Sequence, residues 1–247
     1  MIDALGKHFI EQAKYQNMGL TPQKQGEPQP EYIQPAAGKF AIIELPKPDQ
    51  VHMPGKDLRT IIEQRTSVRK YEEQMLTMDE LSYLLWLTQG IKNVLPSNLT
   101  MRTVPSAGAR HPFETWLSIN KVESLMPGLY HYLPLEHALE QVRLGEEINQ
   151  QVSIAALKQG QITNSAVTFI WVAHPYRTSW RYGSRAYRYI YLDAGHLCQN
   201  LHLAAESIEC GVCAIGAYDD DKINQVLDLD GESQFVIYMA TLGKKKL

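Results

Sequence analysis

The chain has little cysteine, no long apolar run and no excess of charge of either sign. Three cysteines, an odd number, in 247 residues do not suggest a disulfide scaffold. Apolar runs extend only a few residues, far short of the roughly 20 that a membrane-spanning helix needs. The 24 basic and 27 acidic residues leave a net charge of −3, so no electrostatic footprint for nucleic acid is expected. The opening stretch "MIDALGKHFIEQAKYQN" is amphipathic, carries Asp3, Lys7 and Glu11, and lacks the apolar centre of a signal peptide. A cytoplasmic location with no membrane partner is the expectation.

Several chemistries are missing with their motifs. Gly-x-Gly-x-x-Gly and the phosphate-binding P-loop are absent, so a nicotinamide would not sit in a Rossmann cleft. The eight histidines show neither His-x-x-x-His nor His-Glu-x-x-His spacing, and His196 and His202 stand six apart, so no metal site is expected. Cys210 and Cys213 have Cys-x-x-Cys spacing but enter a strand instead of opening a helix. A helix N-terminus is what lowers a redox thiol's pKa, so buried small residues are the favoured reading.

What is present is an ordinary globular composition, 44% hydrophobic and 21% charged, long enough for a sizeable core. Helical spacing is read over 2–18. Residues 20–57 hold seven prolines between Pro22 and Pro54, which rules out continuous helix or central strand and gives a long irregular arm. A helix is expected over 57–65 with Leu58, Ile61 and Ile62 inward. Another follows Thr77, with Glu80 completing a capping box, Leu81, Leu84, Leu85 and Thr88 inward, and Gly90 as terminator. Residues 113–120 alternate as a half-buried strand, 128–133 and 137–142 read as short strands, and 145–158 as a helix. "SAVTFIWVAH" reads as a strand buried on both faces. The longest helix covers 184–208, where Ala194, Gly195, Ala204 and Ala205 permit close approach of a helix or flat ligand. A strand from Cys210, a short helix from Asp219 and a last strand over 234–243 close the chain. Helices mix with strands in no βαβ rhythm, so the fold class is α+β.

The segment "EQRTSVRKYEE" places Arg65, Ser67 and Arg69 at every second position. In an extended chain all three share a face. Two guanidinium forks and a hydroxyl then suit a phosphate monoester. Charge-assisted hydrogen bonds contribute roughly 1.5–3 kcal/mol each. Micromolar binding needs ~8 kcal/mol, so the body of a ligand must be buried too. In a helix, Ser67 would point away and the pattern would be a solvated charged patch. Pro105-Ser106-Ala107-Gly108 is a tight small-residue loop that is either a plain turn or a close approach to a planar ligand. Tyr182, beside Arg181 and Gly183, is either a packing aromatic or a proton donor with a phenol pKa of about 10. Arg181 stays protonated and cannot be a base. The closing lysines Lys244, Lys245 and Lys246 are either solvated or within reach of a phosphate.

The order of these blocks resembles the nitroreductase-like flavoprotein superfamily, and within it the SagB-type (thiazole/oxazole dehydrogenase-like) branch. The blocks are "IIEQRTSVRKYEEQMLTMDELSYLLWLTQGI", "RTVPSAGARHPFETWLSI", "GLYHYLPLEHALE", "RYGSRAYRYIYLDAGHLCQNLHLAA" and "AIGAYDDDKINQVLDLD", spanning about Ile42 to Gly243. The resemblance implies a three-layer fold with a mixed, mainly antiparallel sheet flanked by helices. It divides the chain into an N-terminal helix and arm (1–57) and an FMN-binding domain (58–247). It implies a homodimer with FMN at the interface, and gives the arm a possible task in wrapping the partner. Arg65 and Ser67 would grip the phosphate and Arg69 the phosphate or the ring-pole side, with Thr66 among the cofactor-binding residues. Pro105, Ser106, Ala107 and Gly108 would lie against the isoalloxazine, Ile215 and Gly216 near N5, and Lys244 or Lys246 would complete the phosphate site. The implied activity is an FMN-dependent, ping-pong hydride transfer through N5, with NAD(P)H as a possible donor and a small-molecule or peptide substrate. Azoline dehydrogenases of this branch carry Lys-Tyr where this chain has Arg181-Tyr182. Peptide azoline oxidation is therefore the alternative, and a non-catalytic flavin-binding protein is a third reading.

Overall fold

The computed structural model describes residues 2–96 and 99–246. Its strands are β1 (Ile42–Glu44), β2 (Ile91–Leu95), β3 (Leu99–Arg102), β4 (Phe113–Ile119), β5 (Gly128–Leu133), β6 (Ala138–Leu144), β7 (Val167–Ala173), β8 (Cys210–Ile215) and β9 (Phe235–Lys244). Its helices are α1 (Ile2–Gln12), α2 (Leu58–Gln64), α3 (Met78–Gln89), α4 (Glu147–Ala155), α5 (Gln161–Asn164), α6 (Pro175–Tyr182), α7 (Ala186–Ser207) and α8 (Asp220–Val226).

The apolar run in β7 organises the rest. Phe169, Trp171 and Ala173 point into one core and Ile170 and Val172 into the other, as the period of two demands. β7 is thereby central in a seven-stranded sheet of order β1-β6-β5-β4-β7-β9-β8. Every ladder in that sheet is antiparallel. The parallel component is limited to the isolated bridges Ser67–Val212 and Leu76–Val122. On one face α3 supplies Leu81, Leu84 and Leu85, and α7 supplies Ile190, Leu197 and Leu201. On the other α4, α5 and α8 supply Ile148, Val152, Ile162 and Ile223. The result is an α+β fold with helices on both faces of the sheet, as the sequence led us to expect.

Local signals explain the helix ends. Thr77 Oγ1 accepts from the Glu80 amide at 3.1 Å while the Glu80 carboxylate accepts from the Thr77 amide at 3.0 Å, a complete capping box. Asp57 caps α2 through the Thr60 amide.

Other expectations need correction. Of the α2 trio only Ile61 is buried; Leu58 and Ile62 lie on the exposed side. β4 is buried on both faces, not one: its polar residues sit beneath helices or the arm, with Ser118 donating to Asn149 and Glu114 paired with Arg177. α1 ends at Gln12 and not at residue 18, since the next residues turn so that the Ala13 carbonyl accepts from Arg185. The helix read over 145–158 stops at Ala155 and α5 follows it. The short edge strand β1, the β2–β3 hairpin and α6 were not anticipated. The arm is irregular as expected, apart from β1 and a 3-10 turn at Pro22–Gln25, and it lies across its own protomer.

Candidate active site

The Arg65–Arg69 segment is extended. Val68 donates its amide to the Val212 carbonyl at 2.9 Å, and Ser67 bridges β8 in parallel. The Val68 side chain sits on Gly211, where an added Cβ would come within 2.5 Å of it; β8 needs glycine there. With Val68 facing the sheet, Arg65, Ser67 and Arg69 face the other way. Arg65 is half-buried and Ser67 and Arg69 are exposed. Among the described residues neither guanidinium is tied to a carboxylate, so the two forks and the hydroxyl are available to an external anion. Arg65 also bears on α7: burial, then the Arg65 charge, pushes the His202 imidazole down to about 4, so it is neutral at ordinary pH.

The predicted lysines divide. The chain end runs beside the arginine segment, with Tyr71 bridging Lys245 and the Glu72 amide donating to the Lys244 carbonyl. The Lys244 ammonium is ion-paired with Glu80, the capping-box glutamate, and Lys245 with Glu206 at 2.5 Å. Lys246 is exposed and is the better placed to reach an anion. Ile215 is buried at the far end of β8 and Gly216 is exposed, with open space where a Cβ would stand. They lie three residues beyond the Ser67 bridge, about 10 Å along the strand.

The second group forms around Pro105–His111. Gly108, Ala109 and His111 all have positive φ (60°, 52° and 42°), a left-handed run that costs Ala and His strain. Asp193, on the buried side of α7, holds this backbone. It accepts from the Ser106 hydroxyl at 2.6 Å and from the Ala107 amide at 3.1 Å, and Ser106 Oγ in turn accepts from the His111 amide at 2.9 Å. Burial raises the Asp193 pKa, opposed by those hydrogen bonds. Asp193 was missed in the sequence; its one signal was a carboxylate set among small and apolar residues in "LDAGH".

Tyr182 and Arg181 join this loop. A Cβ on Gly108 would stand 2.4 Å from the Tyr182 hydroxyl and 3.3 Å from Arg181 Cδ, so both side chains pack on the glycine. They are placed by the C-terminal end of α6, not by a loop, and the Arg181 guanidinium lies 5.7 Å from the Tyr182 ring centre. A cleft of about 600 Å³ opens beside the loop, lined by Lys92, Arg102, Pro105, Ser106, Gly108 and His111 among others. Burial, then Arg102, pushes His111 down to about 3, so this wall offers a neutral imidazole. The size falls in the range of small-molecule sites.

The two groups are linked by α7. Asp193 anchors the loop, and His202, nine residues on and about 13 Å along the axis, meets Arg65. Between them Asn200 donates to the carbonyls of Leu87 and Thr103 at 2.9 and 3.4 Å. The donor set suits FMN: two guanidiniums tied to no carboxylate among the described residues and a hydroxyl for a phosphate, and a loop of small residues beside a cleft for a flat ring. Cys198, Cys210 and Cys213 are free and buried, and burial pushes the Cys210 thiol up to about 12. No group of ligating side chains able to hold a metal occurs among the described residues. No helix among them is long and apolar enough to cross a membrane.

Comparison with known proteins agrees with this arrangement. A model of the nitroreductase family matches residues 62–244. A protein of Methanocaldococcus jannaschii described as a nitroreductase is 32% identical over 208 residues, covering 84% of this chain and 98% of that protein. The trifolitoxin-processing protein TfxB of Rhizobium leguminosarum bv. trifolii is 25% identical over 154 residues, 61% of this chain and 41% of TfxB. A crystal structure from Anabaena variabilis, described as a nitroreductase, superposes with a TM-score of 0.68 at 28% identity; it covers 84% of this chain, which spans 42% of that protein.

Proposed function

Since the chain belongs to the nitroreductase family, we propose that it is an FMN-dependent oxidoreductase. Arg65, Ser67, Arg69 and Lys246 hold the phosphate, and Pro105–Gly108 lie against the isoalloxazine. The observation that carries this reading is the extended Arg65–Arg69 segment, pinned by Val68 on Gly211, with its two guanidiniums tied to no carboxylate among the described residues. Bound FMN would supply hydride chemistry, with NAD(P)H as donor. The protein's part is position and charge. Asp193 keeps the Ser106–Gly108 backbone in its left-handed course. Tyr182 presents a hydroxyl at Gly108, the glycine of the loop that lines the cleft, where it can hold or pass a proton. Arg181 packs on the same glycine and brings a guanidinium beside the loop.

The protein acts as a homodimer with FMN at the interface. Both halves of the site lie along α7, whose outward stripe carries Tyr187, Tyr191 and Leu192 at 41–59% exposure, with open space over Gly195. A second copy would cover this stripe and enclose the ligand. Light scattering would show twice the chain mass; a monomer would contradict the arrangement.

A second reading is favoured by the relation to TfxB, whose name assigns it to the processing of trifolitoxin: oxidation of azoline rings in a peptide. Purified protein assayed for NADH and NADPH oxidation with a quinone or nitroarene, and separately on an azoline-bearing peptide, distinguishes the two. Turnover with nicotinamide supports the first; azoline oxidation without nicotinamide supports the second. Bound FMN with neither activity would overturn both in favour of a flavin-binding protein.

A further inference from the structure

The arm between Glu27 and Ala37 is held in an unusual manner. At five points a main-chain group of the arm is hydrogen-bonded to a side chain of the body. Trp180 Nε1 donates to the Glu27 carbonyl at 2.9 Å, Arg177 Nε to Glu31 at 3.0 Å and Arg102 to Tyr32 at 3.4 Å. The Gln34 amide donates to Glu114 at 3.0 Å and the Ala37 amide to Glu140 at 2.6 Å. All five body residues are at least nine-tenths buried. In contrast, no arm residue from 22 to 44 is buried. Tyr32, Ile33 and Gln34 are half-buried, and spaces of about 480 and 310 Å³ run along the arm's two flanks, one toward Leu135 and Glu136, the other toward His174 and Ser233.

A contact surface that reads carbonyls and amides but leaves side-chain space unfilled is specific for an extended backbone, not for this sequence. The points it reads are compatible with proline. Pro28, Pro30 and Pro35 fall between the contacts, and no proline stands where an amide must donate. An indole N–H and guanidinium donors directed at carbonyls suit a proline-rich strand, which offers carbonyls but few amides. Without the arm Glu114 keeps Arg177 and His131 as partners and Glu140 faces His131 at 3.7 Å, but each carboxylate loses one donor. Exchange of one extended chain for another restores that donor and is therefore easier than emptying the cleft.

We propose that the cleft under residues 27–37 is a docking groove for an extended, proline-containing peptide, which this chain's own arm fills in cis. The groove reaches the candidate active site through α6. Arg177 and Trp180 hold the arm, and Arg181 and Tyr182, next in the same helix, pack on Gly108. Replacing the arm by a partner peptide would act on α6 and so on the loop at Gly108. This inference concerns peptide binding and does not depend on flavin chemistry.

The test uses the full chain and a fluorescein-labelled peptide with the sequence of residues 25–40, read by anisotropy. Gln34→Pro/Ala37→Pro in the chain removes both arm amides from Glu114 and Glu140 while leaving the groove intact. The double variant should bind the peptide at least tenfold more tightly than the native chain. A peptide with proline at the two corresponding positions should bind at least tenfold more weakly than the unmodified one. Equal binding by variant and native chains, or no discrimination between the peptides, would overturn the proposal. Amide exchange of the unmodified chain tests the same point without a variant. The Gln34 and Ala37 amides should exchange at least a hundredfold faster than those of β4; equal protection would make the arm a permanent part of the fold and overturn the proposal. Visible absorbance of the same samples reports FMN separately, so loss of the groove and loss of the flavin site are distinguishable.

Discussion

Two irregular stretches lie close together on the fold, the arm at 27–37 and the loop at 105–111, and they are held by opposite means. The arm lends its main chain to buried charges of the body and buries none of its own residues. The loop is itself half-buried or buried from Ser106 onward and carries three positive-φ residues, kept in place by one carboxylate from a helix. An element held at backbone points is open to exchange, because another chain presenting the same amides and carbonyls can make the same bonds. A loop whose strain is opposed by a buried anchor is preorganised, which is what a flat ligand needs.

The contrast can be broken at the charges the arm sits on. Glu114→Ala would leave Arg177 and His131 buried without their carboxylate, and should cost about 3–5 kcal/mol in denaturant unfolding, the largest effect expected. Acid attacks the same region. Burial, then Arg177, lowers His174 to about 4, and His202 is also lowered to about 4. These histidines are neutral in the folded chain and take up protons near 6.5 when unfolded. The unfolded state thus binds more protons between about pH 4 and 6.5, so stability should rise with pH across that window and be lost as pH falls. Burial opposes ionisation of Glu114, but Arg177 and His131 hold its carboxyl well below the usual range. That contribution is present above the ordinary glutamate pKa and is lost only in stronger acid. Thermal melts in a pH series would show both phases.

The loop is broken by Asp193→Ala. Ser106 and the Ala107 amide lose their acceptor, at a cost of about 1–3 kcal/mol. The account expects this to appear mainly as weaker FMN retention, with Asp193→Asn recovering part of it. Equal FMN affinity in all three proteins would remove the anchor from the site. The smallest effect should come from the arm. Gln34→Pro should lower stability by only about 1 kcal/mol, since one hydrogen bond and no buried side chain are lost. A loss as large as that of Glu114→Ala would erase the contrast.

What could be read from the sequence was what depends on neighbours in the chain. The alternation of Arg65, Ser67 and Arg69 needs only the period of a strand, and the Thr77–Glu80 box only a three-residue spacing. The run at 167–173 declared its double burial through its apolar residues. What could not be read depends on remote partners. α6 is polar because Arg177 and Trp180 serve carbonyls about 150 residues earlier. Glu114 looks like a solvent-facing strand residue until the arm is laid over it. Lys244 and Lys246 are alike in sequence, and only the fold brings Glu80 to the first. Asp193 had no motif around it, and its role exists only because α7 passes beneath the Ser106 loop.

The most direct test of the central claim is the visible absorbance of the purified protein beside Arg65→Ala/Arg69→Ala. The account predicts flavin bands in the native chain, directly or after addition of FMN and gel filtration, and their loss in the double variant with the fold retained by circular dichroism. A native chain that takes up no FMN, or a double variant that holds it as tightly, would contradict the assignment of the Arg65–Arg69 segment as the phosphate grip.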